Sequence, residues 1–208
     1  NKDIHVILNG ISKQIKEYNP IKERIYDFPY YVYVGNIKKH KGIDVLIKAI
    51  NEVNKRGFYI RLVLIGDYER IKTKDRYVMD LLKSAGDNIL FTGVLSNNKL
   101  YDIVSQALAL VLPTHYEGFG IPPLEAQACG CPAICADASC LPEIFGDSVL
   151  YCNPYHASSL VEVMEILASD TNLCQSQIEE GKKNLSRYSW QKSAEQLMNV
   201  IKTYQDYD

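Results

Sequence analysis

Short apolar runs that end near a glycine alternate with amphipathic patterns along this chain, and this alternation constrains its fold more than any other feature. Strands are predicted at 30–34, 60–65, 89–92, 108–112, 133–135 and 150–152. Helices are predicted at 42–55, 77–84, 96–107, 122–129, 156–168, 172–186 and 190–205. Strands that alternate with helices form a parallel sheet covered on both faces. The predicted fold class is therefore α/β, a Rossmann-like doubly wound parallel sheet.

Glycines follow several of the predicted strands, at the edge of the sheet where a ligand is expected. Gly35, Gly66 and Gly93 come after three of these strands, and Gly118 and Gly120 come after a fourth. Ligands of doubly wound sheets bind at the carboxyl ends of the strands, near the point where the strand order reverses. We therefore expect these glycines to gather around a binding site on one edge of the sheet.

The segment after the predicted strand at 108–112 combines two carboxylates with the start of a helix. Glu117 and Glu125 are eight positions apart, and Gly118 and Gly120 allow a tight turn and a close approach of the backbone to a ligand. The proline pair at 122–123 suits the first turn of a helix, whose N-terminus attracts phosphate. The residues alone predict a carboxylate-lined anion pocket for a hydroxyl-rich ligand: a ribose, a sugar, or both.

A second candidate anion site is the basic loop at 35–42, which follows the first central strand and opens a helix. Lys38, Lys39 and Lys41 lie there between two glycines. Basic side chains beside a helix start are suited to a diphosphate. The loop is therefore a candidate diphosphate clamp, and a solvated basic turn is the alternative.

Composition narrows the class of protein and its compartment. The 208 residues are 47% hydrophobic and carry a formal net charge of −2, which argues against a nucleic-acid partner and polybasic membrane binding. The six cysteines form no C-x-x-C pair, so reduced thiols in a cytoplasmic protein are expected. Cys129 and Cys131 as a metal or redox pair are the weaker alternative. The sequence has neither an apolar stretch of transmembrane length nor a visible signal peptide.

Five other residues are predicted to cap a helix, to pack in the core or to line the pocket wall. Ser96 and Ser189 are predicted to cap the helices that follow them, and Trp190 is predicted to anchor the terminal helix as a packed aromatic residue. His115, with its neighbour Tyr116, is expected to line the wall of the pocket. A single histidine without a partner is more often structural than catalytic.

The stretch from His115 to Pro132 resembles the E-x₇-E motif of the retaining glycosyltransferases of family 4, which have the two-domain B-type fold. The glycines, the prolines and the Ala-Cys-Gly-Cys-Pro that follows all fit the motif. The resemblance implies that Glu117 contacts the transferred sugar and that Glu125 holds the ribose hydroxyls. It also places the backbone of residues 118–121, Gly-Phe-Gly-Ile, against the donor sugar and diphosphate.

Two further loops resemble donor-binding loops of the same family. Gly35 opens the loop in which a basic pair binds the diphosphate, and Lys41 matches the lysine of that pair. Asn36 stands where the family often has arginine, which is a departure.

The loop at 91–96 resembles the one whose backbone receives the nucleobase, so Val94 and Leu95 are assigned there. A plain strand-to-helix turn is the alternative for this loop. The resemblance also treats Cys129 and Cys131 as packing positions.

The resemblance predicts one half of a two-domain B-type glycosyltransferase. Residues 1–28 would form an interdomain linker and residues 29–208 the donor-binding domain, including C-terminal helices at 156–205. The N-terminal acceptor domain is expected to lie outside this sequence, so the isolated domain is expected to be inactive. The intact enzyme would move a hexosyl group from a nucleoside-diphosphate sugar to a glycan or lipid-linked acceptor. Lys41 and Glu117 would be its catalytic residues.

Other properties and rival functions follow from the same resemblance. The predicted site has no D-x-D cluster of the kind that metal-dependent sugar transferases use to hold a diphosphate, so we expect no metal and no cofactor besides the sugar-nucleotide substrate, a GDP- or UDP-hexose. The enzyme would be cytoplasmic or peripheral at the inner face of the membrane. Two alternatives are a sugar-nucleotide epimerase of the same fold and a non-catalytic nucleotide-binding regulatory module. Turnover with an acceptor would separate them from transfer.

Overall fold

A six-stranded parallel sheet organises the part of the chain that the structure, a computed structural model, describes, residues 4–66 and 76–205. The strands are β1 (Tyr30–Val34), β2 (Arg61–Ile65), β3 (Ile89–Gly93), β4 (Leu110–Leu112), β5 (Ala133–Ala136) and β6 (Leu150–Cys152). Their order across the sheet is β3-β2-β1-β4-β5-β6. Every strand pairing within it is parallel. The predicted α/β class and doubly wound sheet are confirmed.

Helices cover both faces of this sheet, and each helix that the apolar period predicts is present. Within the described residues they are α1 (Lys13–Lys16), α2 (Ile43–Lys55), α3 (Arg76–Ser84), α4 (Asn97–Ser105), α5 (Ile121–Ala128), α6 (Leu141–Phe145), α7 (Ala157–Ser169), α8 (Thr171–Leu185) and α9 (Trp190–Gln205). Only the short helices α1 and α6 lie outside the helices predicted from the apolar period. They have four and five residues, too few for an apolar period to be visible.

The central strand β1 has three tyrosines with buried rings, Tyr30, Tyr31 and Tyr33. The Tyr31 hydroxyl donates to the Met164 carbonyl at 2.6 Å, and the Tyr30 hydroxyl donates to the Ile103 carbonyl at 2.7 Å. A buried hydroxyl without a partner would be costly, and these bonds remove that cost. Burial raises the pKa of both phenols, so they stay neutral donors.

The helix α2 illustrates how the sequence pattern becomes packing. Its apolar stripe is formed by Val45, Leu46, Ala49, Ile50 and Val53, all of which are buried. Through this stripe α2 covers the sheet, and it packs side by side with α7. The helix therefore holds its own N-terminus, and the basic loop before it, at a fixed place above the carboxyl end of β1.

Two predictions about helix ends need correction, and a third is confirmed. Trp190 does not anchor α9, because its side chain is 54% exposed. The backbone of this residue packs instead on Gly10, where an added Cβ would lie 2.2 Å from the Trp190 nitrogen. Ser96 occupies the N-cap of α4 but makes no capping hydrogen bond with its side chain. Ser189 does cap α9, since its hydroxyl accepts the Lys192 N–H at 3.1 Å.

The strand order reverses between β1 and β4, the point where ligands bind in doubly wound sheets. Val32 pairs with Leu110 across this junction, and the Val32 N–H donates to the Ala109 carbonyl at 3.0 Å. Above the junction lie the loop at 35–42, after β1, and the loop at 113–120, after β4. These are the two segments that the sequence singled out.

Candidate active site

The loop after β1 turns tightly before α2 and carries Lys41 at its end. Gly35 and Asn36 are exposed at the start of the loop, and the Asn36 carbonyl accepts the Tyr33 hydroxyl at 3.0 Å. A short 3₁₀ helix, Lys39–Lys41, follows, and Gly42 then adopts φ of 65° before α2 begins. The left-handed conformation at this glycine turns the chain so that Lys41 precedes the helix.

Close backbone contacts lock this loop to the loop after β4. A Cβ atom at Gly42 would lie 2.0 Å from the Pro113 carbonyl oxygen, so only glycine fits. The His40 carbonyl accepts two hydrogen bonds, from the His115 N–H at 2.8 Å and from the Thr114 hydroxyl at 2.9 Å. Two loops that are more than seventy positions apart in sequence therefore behave as one surface.

Lys41 and Glu117 form an ion pair at the centre of that surface. The Lys41 Nζ donates to the Glu117 Oε2, and the two side chains are only 21% and 17% exposed. Partial burial screens such a pair less than open water would. The sequence predicted both residues at the site without predicting that they bind each other.

The glycine-rich turn between Glu117 and α5 is shaped by its packing. Gly120 has φ of 93°, and a Cβ there would lie 2.8 Å from the Leu141 side chain. Phe119 packs edge-on against Tyr188, with ring centroids 5.6 Å apart. The first turn of α5, which begins at Ile121, lacks two N–H groups because prolines follow. The backbone donors for an anion at this end therefore come mainly from residues 118–121.

Glu125 lies in the second turn of α5 with surroundings unlike those of Glu117. It is half-buried, and burial raises the pKa of its carboxyl above the ordinary value. Its charge in turn contributes to raising the pKa of Tyr101 and of Cys129. Glu117 is paired with Lys41. Among the described residues, no lysine, arginine or histidine forms such a pair with Glu125. The two carboxylates are therefore suited to different functions.

A buried polar network fixes the helix that carries Glu125. The Gln127 amide donates to the Ser148 carbonyl at 3.0 Å, and the Asn184 amide donates to the Gln127 Oε1 at 3.1 Å. Gly181 of α8 lets this network approach, because a Cβ there would lie 2.9 Å from the Gln127 Cγ. Sequence reasoning missed these residues, since polar residues within a helical pattern look like exposed ones.

The loop after β3 presents its backbone on the same edge of the sheet. Val94 is 77% exposed, and Leu95 is half-buried. Leu95 also lines a cavity of about 540 Å³ between β3, α4 and the opening segment, together with Ile21, Ile25, Tyr26, Phe91 and Ile103. Neither Lys41 nor Glu117 lines this cavity. We therefore take the ion-pair region, rather than the cavity, as the candidate site.

His115 is held by structural contacts. Its Nε2 lies 3.1 Å from the Pro154 carbonyl oxygen, and its ring lies 4.7 Å from the Tyr155 ring. Tyr116 is exposed. The sequence missed two other residues, Ser139 and Cys140, which reach the backbone of Glu117 from the loop after β5. No local pattern could have indicated them, because only the strand order brings that loop to the site.

All six cysteines are unpaired, and Cys129 and Cys131 are buried as packing residues. In residues 4–66 and 76–205, no cluster of three or more His, Cys, Asp or Glu side chains is arranged to hold a metal ion. Over the same residues, no helix is both long and apolar enough to cross a membrane.

Solved structures define the class of protein to which this fold belongs. Sucrose-phosphate synthase from Thermosynechococcus elongatus superposes with a TM-score of 0.84 at 22% identity, over 98% of this chain and 53% of that one. The C-terminal domain of a glycosyl transferase group 1 family protein from Francisella tularensis superposes with a TM-score of 0.70 at 25% identity, over 86% of this chain and 97% of that domain. The fold is that of the B-type glycosyltransferases.

Sequence comparison then gives the family. The model of glycosyl transferases group 1 matches residues 14–184, and the chain belongs to this family. One similar relative is an O-antigen chain mannosyltransferase of Salmonella typhimurium, 32% identical over 154 residues, which are 74% of this chain and 41% of the relative. The chain spans about half the length of the curated relatives it matches.

Proposed function

We propose that this chain is the donor-binding domain of a longer retaining glycosyltransferase of family 4. The enzyme moves a hexosyl group from a nucleoside-diphosphate sugar to a glycan or a lipid-linked acceptor. One observation carries the proposal: Lys41 and Glu117 meet at the switch point of the sheet, beside the backbone of residues 118–121. A cation, an acceptor carboxylate and the backbone N–H groups before a helix start, at one place, suit a diphosphate joined to a sugar.

In this proposal Lys41 changes partners when the donor binds. The donor diphosphate replaces the Glu117 carboxylate on the Lys41 ammonium, and the backbone of residues 118–121 binds the same phosphates. During transfer the bond between the anomeric carbon and the diphosphate oxygen breaks, and the leaving diphosphate keeps the electron pair. A cation already in place stabilises that growing charge more than it stabilises the bound donor.

The two glutamates then divide the recognition of the donor. Glu117, released from Lys41, accepts hydrogen bonds from the hydroxyls of the transferred sugar. Glu125 accepts them from the ribose hydroxyls, as a carboxylate with two oxygens can do. The acceptor hydroxyl attacks the anomeric carbon on the face that the diphosphate leaves, which retains the configuration, and the hydroxyl proton passes to the leaving diphosphate oxygen. No protein nucleophile is assigned.

Lys41 and the α5 N-terminus supply the positive charge that a divalent cation supplies in other transferases, so we propose metal-free donor binding. The six unpaired cysteines favour a reducing compartment, and we propose a cytoplasmic enzyme, with contact at the inner membrane face when the acceptor is lipid-linked. The mannosyltransferase among the similar proteins favours a hexose donor, and both GDP- and UDP-sugars fit the proposal.

Calorimetry with nucleoside diphosphates tests this function directly. The chain should bind UDP or GDP more tightly than ADP, and excess EDTA should leave the affinity unchanged. Lys41→Ala should weaken binding by roughly tenfold, and more at low salt than at high salt, because part of the lost attraction is screened. Lys55→Ala, an exposed lysine on α2 away from the site, is the matched control and should bind normally. Absence of any nucleotide binding by the wild-type chain would refute the proposal.

A further inference from the structure

The loop after β5 reaches across the site and binds the backbone of Glu117. The Ser139 hydroxyl donates to the Glu117 carbonyl at 2.9 Å, and the Cys140 thiol points at the same oxygen from 3.2 Å. The Glu117 N–H lies 3.5 Å from the Ser139 Oγ, a longer and weaker contact. Adjacent residues of one loop therefore bind the peptide groups on both sides of a single residue.

Ser139 occupies a backbone conformation that a serine adopts at a cost. Its φ is +57°, and within the described residues only Tyr59, at +54°, shares a positive φ among the non-glycine positions. Glycine adopts this conformation freely, whereas a side chain at Cβ makes it unfavourable. The hydroxyl that binds Glu117 is the one group that glycine would lack. Strain retained beside a candidate site is an indication of function.

Glu117 needs such support because its own segment provides little. It lies between the end of β4 and the start of α5, outside any regular element. A Cβ placed on the next residue, Gly118, would meet nothing within 4 Å, so no neighbouring atom packs against that side of Gly118. In the described structure the carboxylate is held by Lys41 and the backbone by Ser139 and Cys140.

We propose that Ser139, assisted by Cys140, is a positioning residue for Glu117 during sugar transfer. This inference rests on the proposed function, in which the donor diphosphate takes Lys41 from Glu117. Once that ion pair opens, the backbone contact with Ser139 remains and keeps the carboxylate directed at the sugar. Ser139 does not touch the donor and acts only through Glu117. Lys41 therefore holds Glu117 before the donor binds, and Ser139 holds it during transfer.

Ser139→Gly separates this role from a merely structural one, because the two roles predict opposite combinations. Glycine relieves the backbone strain, so the midpoint of thermal unfolding should stay the same or rise. It also removes the hydroxyl, so turnover should fall by roughly tenfold or more, since small misplacements of a reacting group are costly. The KM for the donor and the affinity for UDP or GDP should change by less than about twofold.

The experiment uses the full-length enzyme with UDP-glucose, UDP-N-acetylglucosamine and GDP-mannose, and turnover is measured as release of UDP or GDP. Tyr59→Gly is the matched control: it relieves similar strain at an 80% exposed residue away from the site, and its turnover should equal that of the wild type. Ser139→Ala should lose turnover like the glycine variant without gaining stability.

Two results would overturn the inference while leaving the proposed function intact: wild-type turnover in Ser139→Gly, or a rise in donor KM that accounts for the whole loss of kcat/KM. Failure of the proposed function would look different, because the wild-type enzyme itself would then bind neither UDP nor GDP and release neither from a sugar nucleotide. The two failures are therefore separated by the wild-type measurement.

Discussion

At the scale of single residues, the site contains two glutamates whose surroundings direct them to different roles. Glu117 accepts a hydrogen bond from Lys41, which carries the opposite charge. Glu125 is half-buried on α5, and burial raises the pKa of its carboxyl. A carboxylate kept in a place that disfavours its charge reduces stability, and such sites are often functional. The two residues therefore respond differently to removal of charge.

Glu125→Gln tests this difference through binding and stability together. The folded state raises the pKa of Glu125 and so binds its proton more tightly than the unfolded state does. The contribution of Glu125 to the free energy of unfolding therefore falls as pH rises through that range. Glutamine carries no charge, so the variant should be more stable than the wild type at pH 7. This advantage should vanish below about pH 4, where the wild-type carboxyl is protonated in both states.

The same substitution should weaken nucleotide binding by roughly tenfold, because hydrogen bonds to a charged acceptor are stronger than those to a neutral one. Denaturant titrations below pH 4 and at pH 7, with calorimetry of UDP and GDP, measure both effects. Glu162→Gln on the exposed face of α7 is the control and should change neither quantity. A variant that binds nucleotide normally at unchanged stability would mean that Glu125 neither binds the nucleotide nor destabilises the fold.

At the scale of elements, most of the sheet could be predicted because each strand is a short apolar run and each helix has its own apolar stripe. The six strands and seven longer helices follow from such local patterns. The pairing of Lys41 with Glu117 could not be predicted, because the sequence places both at the sheet edge without fixing which lysine of the loop turns inward. The contact of Ser139 with Glu117 depends on neighbouring loops of different strands, which no local pattern encodes.

Gly42 is the position where loop geometry brings the ion pair together, and its replacement is the element-scale prediction. Gly42→Ala should destabilise the fold by about 2–4 kcal/mol, since the new Cβ would lie 2.0 Å from the Pro113 carbonyl oxygen and φ is 65°. Relief of the clash must move the start of α2 away from the loop after β4. Lys41 would then leave Glu117, and UDP or GDP affinity should fall along with stability.

Gly86→Ala provides the control for backbone strain without a clash. Its φ is +52°, and an added Cβ would meet nothing within 4 Å. This variant should lose only about 1 kcal/mol and should bind nucleotide normally. Urea denaturation of both variants gives the comparison. Equal losses would mean that the contact with Pro113 relaxes without consequence and that the two loops are not rigidly joined.

At the scale of the whole molecule, the strand order brings the chemistry to one place. The order β3-β2-β1-β4-β5-β6 sets the loops after β1 and β4 beside each other, with the loop after β5 as the next neighbour. Lys41, Glu117 and Ser139 come from these three loops. The sequence predicted this edge because parallel strands end together, and the resemblance of residues 115–132 supplied the chemistry. Neither source could give the contacts between loops.

The exposed apolar side chains of α9 also belong to this scale. Leu197, Met198 and Ile201 are 40% to 51% exposed on the last helix. Such an exposed apolar stripe is unusual for a helix whose pattern is amphipathic. It is in keeping with the proposal that these residues act within a longer chain, because the relatives are about twice as long.

The 208 residues by themselves should fold and bind UDP or GDP, because the proposed donor site lies within this sheet. A C-terminal domain of the same family from Francisella tularensis, solved by itself, has the same fold. The 208 residues should nevertheless transfer no sugar, since the acceptor is proposed to bind elsewhere in the full-length enzyme. Calorimetry with UDP and GDP, beside an assay of nucleotide release with and without acceptor, compares the short and full-length chains. Transfer by the 208 residues at a rate within about tenfold of the full-length enzyme would show that the acceptor site lies in this domain.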